Sequence, residues 1–128
     1  MDDIKTIIND TVNSTVLKMK MAGLLKDNRK TAMEKLEELL RNYPIFKEIT
    51  DQEYTVKLVG KVNKALEKIS DDPYYDVIKL FYFENKSREF IALEYGCTET
   101  TISRNKTRLL NEIKPMLFSD DVIYELFL

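Results

Sequence analysis

The chain has 128 residues and a net charge of −2; 44% of the residues are hydrophobic and 33% are charged, which suits one compact domain or a small domain with a helical extension. It contains no histidine and one cysteine, which excludes the usual proton shuttle, a thiolate metal site and an internal disulfide. We therefore expect no enzymatic activity, no metal and no cofactor, in a protein of the reducing cytoplasm.

Glycine and proline are scarce, with three of each, and this predicts an all-α fold rather than a multi-turn β fold. No apolar run is long enough to cross a bilayer and no basic-then-apolar leader starts the chain, so we expect no membrane association.

Three amphipathic helices are predicted before residue 70. The first covers about twenty residues. The second begins after Thr31, whose partner Glu34 completes a capping-box spacing, and is expected to stop at Pro44. The third runs from Tyr54 to Ile69. Their apolar positions are Ile4, Ile7, Ile8, Val12 and Val16, then Met33, Leu36, Leu39, Leu40 and Tyr43, then Val59, Val62, Leu66 and Ile69.

A break at Ser70 to Pro73 is predicted to divide the chain into residues 1–70, for oligomerisation or partner binding, and residues 71–128, for DNA binding. Asp72 is the expected N-cap and Pro73 the first residue of a fourth helix that reaches Glu84 and is rich in Val77, Ile78, Leu80, Phe81 and Phe83. Asn85 suits the left-handed conformation after it. Aromatic residues in this region are expected to be core, with Tyr82 exposed.

Two further helices and a tail complete the predicted fold. Ser87 caps a fifth helix, in which Phe90, Ile91 and Leu93 are expected to face inward, and Thr98 caps a sixth that lasts until Pro115. The sixth helix has an apolar face of Ile102, Leu109, Leu110 and Ile113. A short C-terminal helix from Ser119 ends in an apolar tail that is expected to fold back or to form a subunit interface.

The spacing of Ala92, Gly96 and Ile102 is typical of a helix-turn-helix. A small residue lets two helices approach, glycine turns the chain, and a branched apolar residue anchors the next helix. Cys97, after the turn, is interpreted as a small buried hydrophobe rather than a redox sensor. The alternative for the whole motif is three short amphipathic helices of an ordinary all-α protein.

If the sixth helix enters a DNA major groove, its N-terminal half reaches the base edges. Arg104 is then the best candidate for a bidentate guanine contact, and Glu99 can accept from cytosine. Phosphate contacts are expected from Lys106 and Arg108, further along the sixth helix, and from Lys86 and Arg88, at the start of the fifth. For each residue, a solvated surface side chain is the alternative. The predicted DNA-binding residues are Lys86, Arg88, Thr98, Glu99, Thr100, Thr101, Ser103, Arg104, Lys106, Thr107 and Arg108.

Charge is unevenly distributed along the chain. Residues 18–35 carry six basic and two acidic side chains, net +4, and residues 99–108 carry three basic and one acidic, net +2. Acidic residues gather near the C-terminus and around Asp51 to Glu53. This segregation is consistent with a DNA-facing side, although charge runs are commonly solvated helix faces.

The segment Asp76 to Leu110 resembles region 4 of the sigma-70 factors, which reads the −35 promoter element, with Phe90 standing where that family usually has Glu and Phe81 where Arg is common. The chain is too short to add region 2, so we expect a protein other than a complete sigma factor. Over its whole length it is more similar to the ArpU/RinA group of phage late-gene transcriptional regulators, including the leucine-rich segment KLEELLRNYPIFKEI, Lys35 to Ile49, with a break at Asn-Tyr-Pro.

The resemblance implies activation of late, packaging or lysis operons of a phage or prophage by binding to double-stranded promoter DNA, alongside host RNA polymerase. Because one recognition helix covers few base pairs, we expect a homo-oligomer. The rival interpretation is a helical protein-interaction module that binds RNA polymerase or another regulator without reading DNA, which the acidic net charge favours.

Overall fold

The computed structural model describes residues 29–118, and the predicted first helix and C-terminal tail lie outside them. The described part of the chain is all-α, as predicted, and contains no strand. Its helices are α1 (Ala32–Lys47), α2 (Glu53–Ile69), α3 (Tyr75–Ile78) with a π-helical continuation (Lys79–Phe83), α4 (Arg88–Tyr95) and α5 (Glu99–Phe118).

Helix α1 begins with the predicted capping box. The Thr31 hydroxyl accepts a hydrogen bond from the Glu34 backbone N–H at 3.1 Å, and the Glu34 carboxylate accepts from the Thr31 N–H at 3.5 Å. These bonds occupy two N–H groups that a helix start leaves without intrahelical partners.

The predictions that proline ends α1 and α5 were wrong. Pro44 lies inside α1, which continues to Lys47 without a break after Asn42 and Tyr43, and Pro115 lies inside α5, which continues to Phe118. A proline inside a helix costs about 3 kcal/mol because it removes one hydrogen bond and crowds the preceding turn. The residues that follow explain why both helices continue: Phe46 and Leu117 are each 2% exposed in the core, and their burial offsets that cost.

Helices α1, α2 and the C-terminal half of α5 pack around one main core. Helix α2 begins one residue before its predicted start and ends at the predicted Ile69, with Val62, Leu66 and Ile69 buried and Val59 packed against them. Leu109, Leu110 and Ile113 of α5 join the same core. Main-core residues therefore lie on both sides of residue 70, and the division into regions 1–70 and 71–128 stays a prediction.

The segment after α2 differs from its prediction at both ends. Pro73 is not the first helical residue: Asp72 accepts from the Tyr74 N–H at 2.9 Å and closes a turn, and α3 begins at Tyr75. At the other end the chain widens into a π-helical turn, with Glu84 N–H bonded to the Lys79 carbonyl at 3.0 Å.

Tyr82 is 1% exposed, so the prediction that it is exposed was wrong. A π turn holds more residues than an α turn and therefore shifts the positions that face the core. The ring of Phe81 meets the Tyr82 ring edge-on, and the Arg41 guanidinium lies 5.5 Å from the centroid of the Tyr82 ring. Asn85 follows in the predicted left-handed conformation, with φ 55°.

A second, smaller core cluster joins α3, α4 and α5 through Val77, Ile91, Ala92 and Ile102. Ser87 caps α4 as predicted, accepting from the Phe90 N–H at 3.1 Å. The prediction that Phe90 and Leu93 face inward was wrong, since they are 39% and 77% exposed. An eight-residue helix offers one face to its neighbours, and Ile91 and Ala92 occupy that face. Phe90 and Leu93 lie on the outer face.

Two glycines offer a matched stability test. Gly96 has φ +63° and Gly60 lies within α2, and at both positions an added Cβ meets no atom within 4 Å. Gly96→Ala should lower the free energy of unfolding by about 1 kcal/mol, because an L-residue is strained in the left-handed region. Gly60→Ala should raise it by about 0.5–1 kcal/mol, because alanine favours a helix. Urea unfolding measures both, and equal effects of the two substitutions would contradict this account.

Candidate nucleic-acid interface

The turn between α4 and α5 has the geometry that the Ala92, Gly96 and Ile102 spacing predicts. Gly96 is left-handed, with φ 63° and ψ 37°, and the Cys97 N–H bonds to the Ala92 carbonyl at 3.0 Å. Ala92 is 6% exposed and Ile102 is fully buried, so the two helices meet closely at a small side chain. Cys97 is half-buried against the smaller cluster. The turn thus fixes the direction in which α5 leaves α4.

Thr98 caps α5 as predicted. Its hydroxyl accepts from the Thr101 N–H at 3.2 Å, and the two threonine hydroxyls lie 3.0 Å apart. The side chains of Thr98 and Thr101, both predicted to contact DNA, are therefore engaged with each other at the start of the helix.

An open groove lies along the exposed face of the N-terminal half of α5. It is lined by Arg88, Glu99, Thr100, Ser103, Arg104 and Thr107, all predicted DNA-binding residues. The five residues from α5 share a face because positions three or four apart in a helix lie side by side. Two cations and one anion line the groove, a net charge of +1.

Arg88 reaches the groove from the first position of α4. Its Nη1 donates a hydrogen bond to the Ser103 hydroxyl at 3.2 Å, which links the starts of α4 and α5 across the surface. Lys86, just before α4, is exposed, and its ammonium lies 5.1 Å from the centroid of the Phe90 ring. Lys86 is not among the residues that line the groove.

Lys106 has its partners inside the protein, although the sequence suggested a phosphate contact. Its ammonium lies 4.2 Å from the centroid of the Phe81 ring and 5.7 Å from that of Tyr82. Burial lowers the pKa of this ammonium, and the nearby Glu37 carboxylate partly opposes that effect. The position could have been recognised from the sequence, because Lys106 continues the spacing of Ile102, Leu110 and Ile113 on the apolar face of α5.

Arg108 likewise has partners within the protein. Its guanidinium makes two hydrogen bonds to the Asp72 carboxylate, at 2.8 and 2.9 Å, and also contacts Asn105 and Glu112. The Asp72 carboxylate has a pKa below its ordinary value because of these bonds from Arg108 and one from the Tyr74 N–H. The pair ties α5 to the turn before α3. No local sequence signal indicates it, because the two residues are 36 positions apart.

No helix within the part of the chain that the structure describes is both long and apolar enough to cross a bilayer. Nor do residues 29–118 hold a group of three or more His, Cys, Asp or Glu side chains that could bind a metal ion.

No protein-family model, curated protein or solved structure matches the chain.

The Asp72–Arg108 pair predicts a pH dependence of stability. Because folding lowers the pKa of Asp72, its contribution is present above about pH 4 and is lost as the pH falls through the folded-state pKa. Asp72→Asn should therefore lower the free energy of unfolding at neutral pH, by less than about 1 kcal/mol since Arg108 is largely exposed, and should have less effect in acid.

Urea unfolding at about pH 7 and about pH 3 measures this difference. Asp71→Asn removes the same charge one residue earlier, at an exposed position, and is the matched control. A loss of stability from Asp72→Asn that is as large in acid as at neutral pH would contradict the role of the ion pair.

The position of Lys106 predicts that methionine is tolerated there. Replacing a half-buried charge with an apolar side chain of similar length removes the desolvation cost, so Lys106→Met should raise the free energy of unfolding by up to about 1 kcal/mol. Lys64→Met, at an exposed position of α2, should change it by less than about 0.5 kcal/mol. A loss above about 1 kcal/mol at Lys106 would mean that its ring contacts outweigh desolvation.

Proposed function

We propose that this protein is a sequence-specific DNA-binding transcription regulator that places α5 in the major groove. The observation that carries the proposal is the groove of Arg88, Glu99, Thr100, Ser103, Arg104 and Thr107, which gathers polar and charged side chains on the exposed face of a helix held by two clusters of buried residues. A helix of this kind fits the width of the major groove, where each base pair presents a distinct pattern of donors and acceptors.

The groove residues have separate roles in this proposal. Arg104 donates two hydrogen bonds to one guanine, and Glu99 accepts from a cytosine amino group. Thr100 and Thr107 offer hydroxyl and methyl groups to the base edges. Lys86, at the start of α4, contacts a phosphate. Lys106 and Arg108 instead face Phe81 and Asp72 within the protein, and neither is assigned a phosphate contact in this proposal.

The biological role follows from the resemblance to sigma-70 region 4 and to the ArpU/RinA group. We infer an activator of phage or prophage late genes that binds promoter DNA in the cytoplasm of a bacterial host, alongside host RNA polymerase. Because a single α5 spans few base pairs, the active form is a homo-oligomer on a repeated site.

A second candidate is a protein-interaction module that does not read DNA. The outer face of α4 favours it, since Phe90 and Leu93 lie one turn apart there and are 39% and 77% exposed. Exposed apolar residues that adjoin one another can mark a protein-binding surface. The two candidates differ in whether the α5 groove or the outer face of α4 carries the function.

An electrophoretic mobility shift with DNA from upstream of this gene and its neighbouring operons distinguishes them. Arg104→Ala should weaken specific binding by about 5- to 150-fold, the loss expected when a bidentate guanine contact is removed. Lys64→Ala, which removes one positive charge from an exposed position of α2, should leave specific binding within about twofold.

The same shifts at two salt concentrations test the electrostatic part of binding, because contacts with phosphates release counterions and weaken as salt rises. The proposal that α5 reads DNA would be contradicted if the wild-type protein gave no shift, or if Arg104→Ala left the shift unchanged. The second candidate would be supported if Leu93→Ser lost binding to RNA polymerase or another regulator while neither the wild type nor any variant bound DNA.

A further inference from the structure

We propose that Arg88 is a positioning residue for sequence readout, which holds Ser103 as a hydrogen-bond donor towards one base. This inference rests on the proposed function and deepens it. In this role Arg88 influences which base is preferred, beyond the phosphate contact expected from the sequence.

The hydrogen bond between the two residues has a defined direction. A guanidinium carries five N–H donors and no acceptor, so in the 3.2 Å contact the Ser103 oxygen must accept from Arg88 Nη1. A serine hydroxyl has one proton and two lone pairs on its oxygen. The cationic guanidinium occupies one lone pair and makes the oxygen a poorer acceptor for a second donor, so Ser103 favours offering its proton to a partner in the groove.

The location of Ser103 makes that donor useful. Ser103 lies on the groove-lining face of α5, one position from Arg104 and one turn from Thr100 and Thr107. It therefore belongs to the part of the helix that faces the base edges in the proposed complex. Arg88 lines the same groove, so the pair is part of this surface rather than behind it.

A fixed donor discriminates among bases in the major groove. Guanine offers N7 and O6, adenine N7 and thymine O4 as acceptors, whereas cytosine presents its amino group, which is a donor. A serine hydroxyl that is free to rotate serves as donor or acceptor and can therefore form a hydrogen bond with any of the four bases. With Arg88 in place, Ser103 disfavours cytosine at the one position that it contacts.

Selection of binding sites from a library of randomised duplexes tests this inference in the full-length chain. The wild type should enrich sites in which one position excludes cytosine about tenfold, the usual order for one mismatched base pair. Arg88→Ala and Ser103→Ala should each abolish that exclusion while preferences at other positions persist. The double variant should lose no more discrimination than either single variant, because the two residues act as one unit.

Lys86→Ala is the matched control, since it removes a positive charge two residues before Arg88 and outside the groove lining. It should lower affinity for all sequences and reduce the salt dependence while the cytosine exclusion stays. Urea unfolding of each variant verifies that the fold is retained.

Three results would overturn the inference. If Arg88→Ala weakens all sites equally and keeps the exclusion, Arg88 is only a phosphate contact. If Ser103→Ala keeps the exclusion, Ser103 does not contact the base. In both cases the wild type still selects a sequence, so the proposed function survives. A wild type that enriches no sequence would overturn the proposed function together with this inference.

Discussion

The packing of α5 against two separate clusters is the constraint on which the rest of the structure depends. Ile102, near the start of this 20-residue helix, lies in the smaller cluster with Ile91 and Ala92, while Leu109 and Ile113 lie in the main core with α1 and α2. A helix anchored at both halves cannot rotate without opening one cluster. Its exposed face, and the groove along it, is therefore held in a fixed orientation relative to α4.

The local features of the fold could be predicted from the sequence because their chemistry lies within a few residues. Thr31 with Glu34, Ser87, Asn85 and Gly96 each satisfy backbone groups or adopt a left-handed conformation at their own position. The predictions that were wrong concern features that depend on packing between residues far apart in the sequence. Two prolines remained inside helices because buried residues follow them, and the π-helical turn that goes with the inward position of Tyr82 has no signature in the spacing of its residues.

The same distinction applies to the candidate site. Helical spacing alone was enough to place Glu99, Ser103 and Arg104 on one face of α5, and they line one groove. Spacing could not show that Arg88 bonds to Ser103, or that Arg108 is held by Asp72, because these contacts join residues 15 and 36 positions apart. Positive charge in the sequence could not distinguish Arg88 and Arg104, which line the groove, from Lys106 and Arg108, whose partners lie within the protein.

NMR titration of the isotope-labelled protein with a duplex from the upstream region tests most directly whether the α5 groove is the surface that meets DNA. Amide signals from the first half of α5 and from the start of α4 should shift and broaden, and those of α2 should stay unchanged, with smaller shifts as salt rises. Shifts confined to the outer face of α4 around Leu93, or no shifts at low salt, would contradict the account.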